Sequence, residues 1–317
     1  MYVGKKFISL IPKMLIISLI IFLALQLLPG DALTRTVSPE IYANMTKAQL
    51  GALRENLGLN RPIIFQYFNW LKGILQGNFG YSQVSGSNIA SMMMARLPAT
   101  IELTFWALVV ANVLGLVLGF IAAIMKNSAV DYACTAISVV GISVPEFFFG
   151  IVFILVFALK LGWLPTGGRM TAGDFSFIDR IPYMIMPVLC LGISLIATLM
   201  RYTRSSMLDV LNKDYIKTAR SKGLNEVTVN LKHGFRNALI PVMVLLVFRL
   251  PILVSGTVVI EAVFNYPGMG SMVLDAISGG DMPVVMITTM VIAAVTLVAS
   301  CLVDILTAAL DPRVRLE

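Results

Sequence analysis

The chain has 317 residues, 58% of them apolar and only 13% charged, against about 25% charged in a typical soluble protein. That balance excludes a disordered chain, a nucleic-acid module and an ordinary cytosolic enzyme. The formal charge of +7 matters through its distribution across a bilayer. Cys134, Cys190 and Cys301 lie in apolar runs at unrelated spacings, which indicates neither a disulfide framework nor a metal site.

A hydrocarbon core about 30 Å thick takes roughly 20 apolar helical residues to cross. Six stretches qualify: 8–28, 99–125, 132–159, 183–203, 238–260 and 284–306. The expected fold is therefore all-α, an integral membrane protein with six transmembrane helices. Lys5, Lys6 and Lys13 ahead of the first run resemble the start of a signal peptide. The run is long for one, however, and Leu28-Pro29-Gly30-Asp31 offers no small-x-small cleavage site. It reads as a retained helix.

Residues 29–98 form the first loop. Thr46-Lys47-Ala48-Gln49 fits a capping box. A second helix is expected from Arg61, with Asn60 as its cap and Pro62 near its first turn. It would place Ile64, Tyr67, Phe68, Leu71 and Leu75 on one face. Such a helix packs on the membrane domain or its surface, or else offers a docking face to an external partner. In the second span, Gly115-Leu-Val-Leu-Gly119 allows close helix approach.

Basic residues set the orientation. With the N-terminus inside, Lys5, Lys6, Lys13, Lys126, Arg313, Arg315 and the basic residues of 201–237 are all cytosolic, while Leu250 to Pro283 carries none. The six basic residues of 29–98 count for little, because loops beyond about 60 residues translocate largely regardless of charge. Both termini are expected in the cytosol.

Within the membrane, Glu146 falls near the middle of the third span and Arg249 near the middle of the fifth. A central charge costs about 2.5–3.5 kcal/mol on insertion scales, so each should face protein or water. Counted inward from the cytosolic ends, their depths differ by only about 5 Å at 1.5 Å rise per residue. Two readings follow: an ion pair with each other, or a place on a substrate path. Pro145 ahead of Glu146 is expected to break the helix beside a cavity.

No phosphate loop, H-E-x-x-H, C-x-x-C or G-x-S-x-G elbow occurs, and His233 is the only histidine. No catalytic or metal-ligating residue is assigned, and no cofactor is expected on this chain. The extended polar stretch is 201–237, with eight basic residues against Asp209, Asp214 and Glu226. Asp214 is expected to cap a short helix opening with Tyr215-Ile216-Lys217 and ending at Gly223, where glycine tolerates the left-handed conformation. Asn225 would cap a second short helix ending near His233-Gly234, with Pro241 in the first turn of the fifth span. Ala219 would allow close approach to a groove, and Tyr215 and Ile216 apolar contact.

The run Asp214-Tyr215-Ile216-Lys217-Thr218-Ala219-Arg220-Ser221-Lys222-Gly223-Leu224, followed by His233-Gly234-Phe235-Arg236-Asn237-Ala238-Leu239-Ile240-Pro241, resembles the coupling loop of bacterial ABC importer permeases. More narrowly, it resembles that of the first permease subunit of the dipeptide/oligopeptide/nickel group. The resemblance extends along nearly the whole chain. It takes in Leu28-Pro29-Gly30-Asp31, Leu57-Gly58-Leu59-Asn60-Arg61-Pro62, Gly77-Asn78-Phe79-Gly80, Ser143-Val144-Pro145-Glu146-Phe147, Gly162-Trp163-Leu164-Pro165, Glu261-Ala262-Val263-Phe264 and Leu310-Asp311-Pro312-Arg313. Where the generic Glu-Ala-Ala-x-x-x-Gly loop has Glu and Ala, this chain has Lys217 and Thr218, which removes an acidic contact at Lys217.

The resemblance implies a type I importer permease fold: a transmembrane helix over 1–28, an external loop over 29–98, a core over 99–310 containing the cytosolic loop 204–238, and a tail over 311–317. It implies ATPase contacts at Asp214, Tyr215, Ile216, Thr218, Ala219, Arg220, Lys222, Gly223 and Leu224. The implied partners are a homologous second permease, two cytosolic ABC ATPases that hold ATP and Mg, and an external substrate-binding protein. The setting is membrane lipid of the bacterial cytoplasmic membrane, and the substrate a di- or oligopeptide. Nickel, a metal chelate or an oligosaccharide is the alternative substrate. A membrane-embedded enzyme or scaffold is the alternative class, and nucleic acid is no partner.

Overall fold

The computed structural model describes residues 2–27, 33, 37, 39–174, 176–247 and 250–310. Arg249, the segment Leu28-Pro29-Gly30-Asp31 and the tail 311–317 lie outside the described residues. The helices are α1 Tyr2–Leu27, α2 Pro39–Asn44, α3 Lys47–Asn56, α4 Ile63–Leu75, α5 Ile89–Ile124, α6 Ala129–Ser143, α7 Glu146–Phe153, α8 Phe177–Leu211, α9 Asp214–Ser221, α10 Glu226–Thr228, α11 Arg236–Val247, α12 Leu250–Val263, α13 Met269–Gly279 and α14 Met282–Leu310. Among the described residues, α1, α5, α8 and α14 are each long and apolar enough to cross a membrane. The third expected span is a broken one, with α6 and the segment Glu146–Lys160 meeting at 105°. The fifth falls on α11 and α12, with 248–249 between them outside the described residues.

The break has a local cause. A residue before proline is pushed out of the α region, and Val144 is extended at φ −93, ψ 131. Pro145 then caps α7 with its own φ fixed at −56. Glu146 is thereby the first helical residue of α7. The span finishes in π-helical turns over Ile154–Lys160.

The chain divides into two compact units. One comprises residues 1–100 and 267–301. Its core is Leu25, Ile89, Met93, Met269, Met272, Ala276, Val284, Ile287 and Met290, with Trp70 and Ile74 of α4 packed against it. The capping box forms as expected: Thr46 N donates to Gln49 Oε1 at 2.8 Å, and Gln49 N donates to Thr46 Oγ1 at 3.4 Å. Asn60 does not cap α4. Gly58 at φ +68 and the bond from Arg61 N to Gly58 O hold a turn there, and Pro62 becomes the N-cap. The expected apolar face of α4 is also rotated. Tyr67 is buried, but Ile64, Phe68 and Leu75 are exposed. Tyr67 shares a 2.8 Å hydrogen bond with Ser18 Oγ, and its ring meets Phe22 edge-on at 5.4 Å. These contacts turn Tyr67, Trp70 and Ile74 inward. Asp281, just ahead of α14, is buried and accepts from Ser82 Oγ and from Gln83 N, which fixes the 81–88 turn.

The other unit comprises residues 101–266 and 302–317. Helix α8 is its centre, packed by α6, α7, α11 and α12. The Gly115/Gly119 pair performs the expected close approach. A Cβ on Gly115 would lie 2.8 Å from the Leu199 side chain, and one on Gly119 would lie 2.6 Å from the Met200 carbonyl oxygen. Helix α8 runs eight residues beyond the expected end of its span, so Arg201, Arg204 and Asp209 stand on a helix rather than in a loop. Pro241 sits inside α11, five residues past its start rather than in its first turn.

Candidate functional site

The loop after α8 folds as a two-helix knob. Asp214 is the first residue of α9 rather than its cap. Lys213 holds the cap position with extended backbone and no side-chain bond, while the Asp214 carboxylate accepts from Lys217 Nζ at 3.0 Å. Gly223 ends the helix at φ +77, and its N–H donates to Arg220 O at 2.9 Å. Glycine is required there because that backbone region is strained for other residues. Asn225 caps the next turn, accepting from Thr228 N at 2.7 Å, as its position predicts. The second helix does not stop at His233-Gly234. Helix α10 continues through π-helical turns over Val229–Phe235 directly into α11. Gly234 permits this, being buried against Met207 and Leu211 with room only for small side-chain adjustments.

Ile216 and Ala219 are buried with Val229, under Val210 and Leu211. The expectation that these two side chains touch a partner is therefore corrected: their apolar surface forms the knob's own core. The outward apolar side chains are Tyr215, Leu224, Val227 and Leu231. Thr218, Arg220, Lys222 and Gly223 also face outward. Val227 and Leu231 escaped the sequence reading because nothing in their spacing separates an exposed apolar residue from a packed one.

Arg220 clamps the two helices across Gly223. Its Nε donates to Glu226 Oε1 at 2.8 Å and its Nη2 to Glu226 Oε2 at 3.1 Å, a bidentate pairing. The guanidinium holds the Glu226 carboxyl below the ordinary glutamate range, and Glu226 in turn raises Arg220. A carboxyl with a depressed native value contributes stability above its unfolded value and loses it as pH falls through the native one. Amide exchange over 214–228, corrected for intrinsic rates, should therefore accelerate as pH drops below the carboxylate range. Glu226→Gln should already be fast at neutral pH and show no such step. A step of equal size in that variant would assign it to another group.

The knob is seated on the bundle. Phe235 meets Phe120 edge-on at 5.3 Å, and Ser206 Oγ donates to Ala238 O at 2.9 Å. Ala123, Met207 and Ala238 form a small core at this junction. Just above it, the buried Asp131 receives Arg204 Nε at 2.5 Å and Nη2 at 2.7 Å, together with Asn127 N at 3.0 Å. The knob is thus joined to α5, α8 and α11 by packed contacts rather than by a free linker.

Of the two intramembrane charges, Glu146 is half-buried at the bend and accepts from Ser194 Oγ at 2.5 Å. Arg249 lies outside the described residues, and the expected pairing lies there with it. A further charged cluster escaped the sequence reading. Glu102 accepts from Arg169 Nε at 2.9 Å, from Arg169 Nη2 at 2.5 Å and from Arg180 Nη1 at 3.4 Å. Nearby, Gly168 N donates to Phe264 O at 2.8 Å, and Gly167 leaves no room for a Cβ against that carbonyl. The available signal was Glu102 itself, a carboxylate four residues inside an apolar span.

The described chain is nearly all helical, with several helices long and apolar enough to cross a membrane, one broken span and a two-helix knob between two of its helices. Residues 115–316 match the family described as binding-protein-dependent transport system inner membrane component, and residues 1–104 match that family's N-terminal domain. The chain belongs to this family, that of the ABC importer permeases, and is a multi-pass inner-membrane transport subunit rather than an enzyme. A putative peptide permease protein of Brucella suis is 40% identical over 304 residues, covering 95% of both chains. The oligopeptide transport system permease protein AppB of Bacillus subtilis is 39% identical over 316 residues, covering 99% of both. The fold is also that of the inward-facing MetNI methionine ABC transporter, with a TM-score of 0.56 at 16% identity over 69% of this chain and 96% of that one.

Proposed function

We propose that this chain forms one half of the translocation path of a peptide importer, with a homologous second permease as the other half. Full-length identity of 39–40% to permeases named for peptides and oligopeptides is the observation that carries the substrate class. Two cytosolic ATPases, which hold the ATP and Mg, dock on the knob, and an external binding protein delivers the peptide. The chain itself binds no cofactor. Both termini and the knob lie in the cytosol, following the basic residues. Among the described residues no group of three or more His, Cys, Asp or Glu side chains is placed to hold a metal ion.

In this reading, ATP-driven closure of the ATPases draws the two knobs together. The permease halves rock to the outward-open state, and hydrolysis resets them, which is alternating access by rigid-body motion. The Arg220–Glu226 clamp and the buried Ile216–Ala219–Val229 core make the knob stiff enough to transmit that movement. Tyr215 and Leu224 are its contact residues.

Tyr215→Asp and Leu224→Asp should each lower ATPase capture by the purified permease pair, and peptide uptake, about tenfold, which is about 1.4 kcal/mol of docking. Permease yield should be unchanged, because both side chains are 40–45% exposed. Ala219→Glu should lower yield instead, by placing a carboxylate in the knob core. Normal capture and uptake in both aspartate variants would refute docking at this knob. Loss of uptake for peptides but not for another solute would confirm the substrate class.

A further inference from the structure

The second half of helix α8, from Ser194 on, carries a polar strip, whereas nearer its start the exposed side chains are apolar, among them Phe177, Ile178, Ile181 and Ile185, and Tyr202 flanks the strip. Ser194, Thr198, Arg201, Ser205 and Asp209 are all partly or fully accessible. At 100° per residue they fall within an arc of about 80°. They make one stripe about 22 Å long at 1.5 Å rise per residue. An α8 side facing lipid would be apolar, because polar and charged side chains within a span turn to protein or to water.

The two ends of the stripe differ in charge. At its upper end, Ser194 Oγ donates to one Glu146 oxygen, and among the described residues Glu146 has no cationic partner. Lower down, a cleft of about 800 Å³ is lined by Thr135, Thr198, Arg201, Tyr202, Ser205 and Asp209, among others. Arg204 also borders it but is committed to Asp131 through two hydrogen bonds. Arg201 is exposed and has no ion pair among the described residues. It is the cation in this cleft available to a ligand.

Ser194 and Arg201 are seven residues apart, about 10 Å along the helix axis. An extended peptide spans at most about 3.3–3.6 Å per residue, so two or three residues cover about 7–11 Å. We infer that this stripe is a station on the translocation path for a short zwitterionic peptide, with Glu146 receiving the terminal ammonium and Arg201 the terminal carboxylate. Thr198 and Ser205 supply hydroxyls to the peptide backbone between them. The inference rests on the peptide reading above and deepens it: the permease itself, beyond any delivering protein, recognises both free ends.

The test uses the assembled complex of both permeases and the ATPases in inside-out vesicles. Ser205→Cys and Thr198→Cys are labelled with a membrane-impermeant maleimide, the native Cys134, Cys190 and Cys301 all being buried. Both positions should label, and tri-alanine should slow labelling about tenfold, whereas its N-acetyl and C-amide forms should slow it less than twofold. Adding Arg201→Gln should abolish protection by tri-alanine, and adding Glu146→Gln should do the same. No labelling by the water-soluble reagent would place the stripe against lipid or a partner helix and overturn the inference. Equal slowing by all three peptides, or by none, would also overturn it. Protection without measurable peptide uptake by the intact complex would count against the peptide-importer reading, not against the station.

Discussion

Gly119→Val should be among the most damaging single substitutions in this chain, lowering the yield of folded permease several-fold and its thermal midpoint in detergent well below that of the unaltered protein. A Cβ at 119 would stand 2.6 Å from the Met200 carbonyl oxygen and 2.6 Å from Thr203 Cβ, so backbone blocks it from one side and a branched, buried side chain from the other. Neither can swing away, and α5 must move off α8. Overpacking of this kind costs about 1–3 kcal/mol where the core can adjust, and more where backbone is the obstacle. Gly115→Ala is the control. Its nearest obstacle, Leu199 Cβ at 2.8 Å, is fixed to the α8 backbone, but Cδ2 at 2.9 Å and Cγ at 3.0 Å can move with a rotamer change and no carbonyl stands in the way. The order of damage should be Gly119→Val, then Gly119→Ala, then Gly115→Ala. Equal midpoints for Gly119→Val and Gly115→Ala would mean that the two helices do not meet this closely in the membrane.

That contact shows which parts of the fold can be read along a chain and which cannot. The spans follow from apolar runs, and the small-xxx-small spacing marks where a helix can be approached, but neither says which helix approaches. Local rules held where the partner is a few residues away, as in the Thr46–Gln49 box, the Asn225 cap and the left-handed Gly223. They failed where a tertiary contact outweighed them. Asn60 gave up its cap to the turn at Gly58, and the face of α4 rotated to bring Tyr67 onto Ser18 and Phe22. The knob shows the same division. Its two-helix form was legible from Asp214, Gly223 and Asn225. Which of its apolar residues point inward was not, because Ile216 and Tyr215 are neighbours of similar character. Only the packing of Val210, Leu211 and Val229 separates them. The polar partner of Glu146 was hidden for the same reason: a serine 48 residues away carries no mark in the sequence.

Asp131→Asn should destabilise the permease by about 2 kcal/mol. The full penalty for breaking a buried ion pair, about 3–5 kcal/mol, is reduced here because Arg204 keeps 29% of its side chain exposed. Asp131 itself is only 2% exposed, and its two oxygens accept from both Arg204 nitrogens and from Asn127 N. Asn127 sits at φ +63, so the same carboxylate also supports an unfavourable backbone turn between α5 and α6. An asparagine keeps the shape but offers one acceptor oxygen, leaving a partly buried guanidinium under-neutralised. Arg204→Gln should cost more, because the charge it leaves without a counter-ion is the Asp131 carboxylate, only 2% exposed and then held by the Asn127 N–H alone. The double variant should cost less than the two single changes added together, because the second substitution removes a group the first has already left without a partner. Thermal midpoints of the four proteins in one detergent measure the cycle. Strict additivity would mean that Asp131 and Arg204 act separately, and that the turn at Asn127, rather than the ion pair, is what the carboxylate holds. A functional consequence then separates stability from coupling. Arg204 lies on α8 above the knob, so the Asp131→Asn protein that does fold should still capture the ATPases through Tyr215 and Leu224. Its uptake per folded complex should fall, because the joint linking α6 to α8 is slack when the knob moves.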